Sequence, residues 1–334
     1  KLVFTVKILL YAGNFCISSP LVFITLGTIY LFSGKSASNF AIGVPLARAI
    51  NKTTYDYTNI PWISDHLSKY RTNLTKEELG YFLAGLIEGN GLFYEKQLHI
   101  VFQQSDHSLA SYIKKQIGYG SIEKIETSDK KKASNKSCPP QASLKYICEN
   151  KKGLFIILSL INGKFVTESK YNQLIRYNYN IYLNISILPP LRLQKLSLDN
   201  FWLAGFTQAQ GCFYINVVKS PTDETGYSVR LEYSIRQKDK LPLELLRAKL
   251  LERGIITQDS SGTWCYKSSD FNTTARLINY FDKYHVFGGK YIKYLKFRKV
   301  YRMIRVGRHL ESKGIKKIIS IATKGSSETS TQEI

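Results

Sequence analysis

The side chains best placed to do chemistry in this sequence come in pairs 120 residues apart. The segment GYFLAGLIEGNGLFY at residues 80–94 recurs as NFWLAGFTQAQGCFY at residues 200–214. Leu83 aligns with Leu203, Gly85 with Gly205, Gly91 with Gly211, Phe93 with Phe213 and Tyr94 with Tyr214. A carboxamide stands before the closing glycine of each copy, Asn90 in the first and Gln210 in the second. Such a group can offer a neutral oxygen to a cation, cap a helix, or hydrogen bond across a contact, but it brings no charge. Glu88 and Gln208 lie two residues earlier.

Two helices are needed to bring the carboxamides together. Ala84, Gly85 and Gly89 in one copy, and Ala204, Gly205 and Ala209 in the other, give each helix a face with almost no side-chain bulk. Faces of that kind can pack backbone against backbone, which makes Asn90 and Gln210 neighbours at the helix ends. Downstream, LHIVFQQSD (residues 98–106) matches RLEYSIRQKD (residues 230–239), each alternating apolar and polar residues at a strand period before an Asp able to open a helix. Helices follow over 108–117 and 241–252, ending near Gly118 and Gly254. Further strands are expected over 120–126, 143–148 and 262–267. Each copy thus reads helix, two strands, helix, then more strands and a helix, within repeats spanning 76–183 and 199–326. A linker with Pro189-Pro190 covers 184–198, and a polar tail covers 327–334.

Charge narrows the partner. Lys and Arg number 47 against 25 Asp and Glu, a formal net charge of +22. A surplus of that size favours polyanions, because each neutralised phosphate releases condensed counterions. Lys290, Lys293, Lys296, Arg298, Lys299, Arg302, Arg305 and Arg308 crowd nineteen positions, with Tyr291, Tyr294, Phe297 and Tyr301 interleaved at helical spacing. That pattern predicts a helix with an aromatic inner face and a basic outer one available to phosphate. The five cysteines are widely spaced with no CxxC, and the five histidines lack ligand spacing. Neither a zinc site nor a disulfide framework is expected.

The first 75 residues read as an apolar start followed by a polar linker. Residues 8–34 carry no charge and are long enough to cross a bilayer, so membrane contact is one expectation there; Asn14 and Pro20 count against it. Position 1 is Lys, which suggests a fragment, a processed chain, or translation continued from upstream.

The paired motif, LAGLIEGNG and LAGFTQAQG, resembles that of the LAGLIDADG homing endonucleases and intron maturases, over most of the chain. Residues 160–170 (LINGKFVTESK) and 290–299 (KYIKYLKFRK), the latter followed by HLESKGIKK at 309–317, resemble the fungal mitochondrial, group-I-intron branch. The resemblance implies an α+β fold of tandem αββαββα repeats, two antiparallel sheets forming a saddle around a central helix pair. It implies a monomer that binds double-stranded DNA or group I intron RNA, without a small-molecule substrate, located in the mitochondrial matrix or at its inner membrane. One acid from each central helix would hold Mg²⁺ over the scissile phosphates, with a basic residue nearby; Lys164, Lys170 and Arg298 are the candidates. Strands within 92–102 and 213–234 would face the groove, where alternate side chains can read base edges. Tyr94, Lys96, His99, Gln103, Tyr214, Lys219, Arg230, Gln237, Lys290 and Lys293 are the expected nucleic-acid contacts.

The sequence departs from the family at the eighth motif position. Asn90 and Gln210 stand where the two acids belong, and amides in both places should weaken Mg²⁺ binding severely. Glu88, two residues off on a helix, points elsewhere. The expectation is an intron-encoded nucleic-acid-binding protein that assists group I intron splicing, with an impaired DNA-cleavage centre. The alternative is an active endonuclease making Mg²⁺-dependent double-strand breaks in the intronless host gene.

Overall fold

A computed structural model describes residues 59–125, 143–191 and 197–323. The apolar stretch 8–34 and the tail 327–334 lie outside the described residues; among those described, no helix is long and apolar enough to cross a membrane.

The first repeat opens with α1 (Lys76–Asn90). Its start is fixed by a capping box, in which Thr75 Oγ1 accepts from the Glu78 amide while the Glu78 carboxylate accepts from the Thr75 amide. Strands β1 (Gly91–Tyr94) and β2 (Gln97–Gln103) form a hairpin, and α2 (His107–Ile117) follows. Gly118 ends α2 in the left-handed region at φ 79°, a conformation that costs glycine little. β3 (Ser121–Ile125) and β4 (Ser143–Cys148) complete a four-stranded antiparallel sheet in the order β1-β2-β4-β3. Helices α3 (Lys151–Ile161), α4 (Glu168–Arg176) and α5 (Tyr179–Leu183) close the repeat.

The second repeat retraces this path with α6 (Trp202–Gln210), β5 (Gly211–Lys219), β6 (Tyr227–Gln237), α7 (Leu241–Leu245), β7 (Ile255–Gln258), β8 (Trp264–Ser268), α8 (Phe271–Lys283) and α9 (Gly288–Arg305). A final helix, α10 (Ser312–Thr323), follows. Its sheet has the order β5-β6-β8-β7, and Gly211↔Ile235 in one hairpin corresponds to Gly91↔Ile100 in the other. The helix expected over 241–252 is α-helical only to Leu245; Leu246–Leu251 widen into a π-helical turn, and Glu252 leaves it at φ 61°.

Alternation along the strands sorts the core from the outer face of each sheet. Phe93, Leu98, Ile100 and Phe102 point inward in one sheet, and Phe213, Leu231, Tyr233 and Ile235 in the other. Leu92, Tyr94, Val101, Cys212, Tyr214 and Asn216 point to solvent. The polar stretch before α1 is not a free arm. The Pro61 carbonyl accepts from Tyr301 Oη at 2.7 Å, the Ser64 carbonyl accepts from Arg298 Nη2 at 2.6 Å, and Tyr70 packs on His285 and Tyr291 with ring centroids 4.6 Å apart in each case. Residues 59–74 thus run against α9 of the second repeat.

Candidate nucleic-acid interface and central helix pair

α1 and α6 pack backbone against backbone. A Cβ built on Gly85 would lie 2.0 Å from the Trp202 carbonyl oxygen, and one on Gly205 would lie 1.9 Å from that of Phe82. On Gly89 it would lie 2.3 Å from the Ala209 Cβ. Ala84 and Ala204 are fully buried within the same pair. Only residues without bulk permit this spacing.

The approach brings Asn90 and Gln210 together. Gln210 Nε2 donates to Asn90 Oδ1, and also to the Gly89 carbonyl at 3.3 Å. Asn90 Nδ2 donates to the Val101 carbonyl at 3.1 Å and to that of Ala209, across the pair, at 3.3 Å. These two side chains thereby tie both helix ends and the β2 strand into one network.

Glu88 has a separate job. Its buried carboxylate accepts from the amides of Val166 (3.0 Å) and Thr167 (2.7 Å), from Thr167 Oγ1 (2.8 Å), and from Trp202 Nε1 of the other repeat (2.6 Å). Burial pushes its pKa up, and these donors pull it back. The side chain latches the segment before α4 to α1 and α6. Gln208 fills the corresponding place, with Oε1 accepting from the Phe287 amide at 2.8 Å. This role was missed in the sequence, because the partners lie 78 to 114 positions away.

Two lysines flank the carboxamide pair at equivalent positions. Lys170 Nζ donates to the Gly91 carbonyl at 2.5 Å, and Lys290 Nζ donates to those of Thr207 (2.9 Å) and Gln208 (2.7 Å). Burial lowers the pKa of both; Glu88 opposes that at Lys170, and Cys212 and Asp106 oppose it at Lys290. The other two basic candidates lie elsewhere. Lys164 reaches the Leu160 carbonyl at 2.8 Å and sits beside Gly80, near the opposite end of α1 from Asn90. Arg298 is buried inside the second repeat, where Nε meets Asp282 Oδ1 at 2.8 Å. Its position on the inner, aromatic side of α9 removes it from the basic outer face expected of that helix.

The outer sheet face gathers half of the expected contacts. Tyr94, His99 and Gln103 occupy it in the first sheet, and Tyr214 and Arg230 in the second. His99 Nε2 lies 2.8 Å from Gln97 Oε1, and burial together with Lys145 depresses its pKa. Lys96 lies in the hairpin turn over the Tyr182 ring at 4.8 Å, and Lys219 is exposed at the end of β5. Gln237 turns inward instead, donating from Nε2 to the Glu88 carbonyl at 3.3 Å, because the strand period places it with core-facing Ile235. Arg236, its exposed neighbour, belongs to the outer face and was missed. Continued alternation beyond Arg230 was the signal that could have found it. Lys293 is exposed on α9.

Paired αββ-type repeats, a backbone-close helix pair and two outward sheet faces define a two-repeat α+β saddle architecture. The chain belongs to the LAGLIDADG family: the LAGLIDADG endonuclease family model matches residues 203–301. An uncharacterized 37.2 kDa cox1 intron-2 protein of Schizosaccharomyces pombe is 35% identical over 296 residues, covering 87% of this chain and 86% of that protein. The probable intron-encoded endonuclease 4 of Neurospora crassa is 26% identical over 246 residues, 69% of this chain but 41% of its own length. In fold, the chain is similar to the I-LtrWI LAGLIDADG homing endonuclease solved with its target DNA. The TM-score is 0.56 at 20% identity, over 76% of this chain and 99% of that one.

Proposed function

We propose that this chain is an intron-encoded nucleic-acid-binding protein of fungal-type mitochondria whose central helix pair works as a structural joint and not as an efficient nuclease centre. The observation that carries this reading is the bond from Gln210 Nε2 to Asn90 Oδ1. Two carboxylates set this close would repel one another and attract a divalent cation; two amides satisfy one another without one. Mg²⁺ is held through one or two carboxylates in near-ideal octahedral geometry. Here the Asn90 oxygen is engaged by Gln210, and the acid nearest in sequence, Glu88, is fully committed to its four donors. Among the described residues no cluster of three or more His, Cys, Asp or Glu has metal-holding geometry. This donor set does not fit a tightly bound Mg²⁺.

What remains is a basic saddle with intact reading faces. Its work is to grip the RNA of its own group I intron and stabilise the folded form, while the RNA carries out splicing. The test is splicing of the chain's own intron transcript at limiting magnesium, with and without the protein. Acceleration, together with a steep loss of RNA binding as salt rises, is the expected result. An unchanged splicing rate with tight, cleaving binding to the intronless allele would favour the endonuclease instead.

A further inference from the structure

The repeat relation breaks at the free edges of β1 and β5. In the first repeat that edge is sealed: the Phe93 amide donates to Gln173 Oε1 of α4 at 3.0 Å, and the Tyr94 and Tyr177 rings meet edge-on at 5.6 Å. Phe213 holds the same register as Phe93, two residues beyond the matching Gly211↔Ile235 and Gly91↔Ile100 pairs, so its amide turns to the free edge of β5. The residue 120 positions after Gln173 is Lys293, which has no acceptor to offer. The Tyr177 counterpart is Phe297, withdrawn into the core against Phe213 at 5.4 Å.

Where the first repeat is closed, the second therefore holds a cleft of about 240 Å³ between β5, α9 and α10. It is lined by Cys212 and Tyr214 of β5, Lys293 and Lys296 of α9, and Ile321 and Ala322 of α10. Lys290 anchors the inner end, with Asp106 behind it. That volume is several times the roughly 30 Å³ share of one water, and somewhat below the ~300 Å³ where pockets for drug-sized ligands begin. Gln103 of the first sheet also borders it, so the cleft opens beside the Asn90–Gln210 pair.

We propose that this cleft takes one unstacked nucleotide of the bound strand, its base against Tyr214, Ile321 and Ala322 and its phosphate on Lys293, Lys296 and the Phe213 N–H. The inference deepens the nucleic-acid reading above and rests on it. A duplex read in its major groove keeps its bases stacked; single-stranded loops and bulges of RNA present bases that splay onto aromatic side chains. A mixed apolar and cationic cleft at the β5 edge, where the matching β1 edge is sealed, suits the second kind of ligand and breaks the two-fold symmetry of binding.

Cys212 is an exposed thiol in the cleft, whereas Cys148 and Cys265 are buried, so alkylation of Cys212 reports its occupancy. The test uses the full chain with Cys16→Ser and Cys138→Ser, the rate of iodoacetamide modification at Cys212 read by mass spectrometry. AMP is the probe, with adenosine and inorganic phosphate as controls. AMP should slow modification saturably, about tenfold once its concentration exceeds the half-saturating value tenfold. Adenosine and phosphate at the same concentration should each do far less. Protection should vanish in Lys293→Gln/Lys296→Gln, whose folding is checked by continued resistance of Cys148 and Cys265. Equal protection by phosphate alone, no protection by AMP, or undiminished protection in that folded double variant overturns the proposal. Intron RNA that binds without shielding Cys212 also overturns it. AMP protection in a chain that fails to bind the RNA would keep the cleft and remove the splicing role.

Discussion

Replacing Glu88 separates a structural latch from a catalytic acid. In Glu88→Ala the Val166 and Thr167 amides and Trp202 Nε1 lose their acceptor in a fully buried site. Each orphaned donor costs about 1–3 kcal/mol, and the costs do not add in full because a water can enter the space left behind. A total of about 3–5 kcal/mol follows, the range for breaking one side of a buried charged network. Glu88→Gln keeps the shape but sets an N–H against a donor, so about 1–3 kcal/mol is expected. Urea unfolding reads both, and with a slope of roughly 2–3 kcal/mol/M the Ala variant's midpoint should fall by about 1–2 M. The pH dependence has a definite sign. Burial holds the folded-state pKa above the ordinary carboxylate range, so the folded chain keeps this proton longer than the unfolded chain. The associated stability is fully present below the ordinary carboxylate pKa of about 4.3 and is lost as pH rises through the raised value. Glu88→Gln should flatten that part of the curve. An Ala variant within about 0.5 kcal/mol of the parent would refute the reasoning, since that is the range of a surface substitution.

Three further outcomes follow from the packing and the charge. Gly205→Ala drives a Cβ into the Phe82 carbonyl, 1.9 Å away, and should cost at least about 1–3 kcal/mol in thermal or urea unfolding. Arg298→Ala leaves the largely buried Asp282 carboxylate without its cation, with only Tyr294 Oη donating to it, and releases the Ser64 carbonyl. It should destabilise by about 3–5 kcal/mol while leaving the salt dependence of nucleic-acid binding unchanged, as titrations of both variant and parent would show. Arg236→Gln, on the outer sheet face, should do the reverse: stability within about 0.5 kcal/mol of the parent, and a binding-versus-salt slope shallower by about one unit.

The repeat made much of this architecture legible. A single 120-residue offset located both central helices, and the absence of side-chain bulk at Gly85 and Gly205 foretold their close approach. Alternation placed β2 and β6, and the strand over Ser143–Cys148 matches the expected span at both ends. Features depending on distant partners were not legible. The polar composition of residues 59–74 resembles a linker, yet its backbone carbonyls are claimed by Arg298 and Tyr301, more than 230 positions away. Arg298 reads as one more basic residue on a basic helix until Asp282 and that segment bury it. Gln237 failed for a local reason, since a one-residue shift along a strand exchanges inner and outer faces.

The central claim is that two amides have turned a metal-holding junction into a hydrogen-bonded joint. The most direct measurement is Mg²⁺-dependent cleavage of the intronless allele of the host gene by this chain and by an Asn90→Asp/Gln210→Glu variant, at matched DNA occupancy. The account predicts that only the variant cuts, and that it unfolds more readily without divalent metal, because two carboxylates then face one another across the joint. Comparable cutting by the unaltered chain would contradict it.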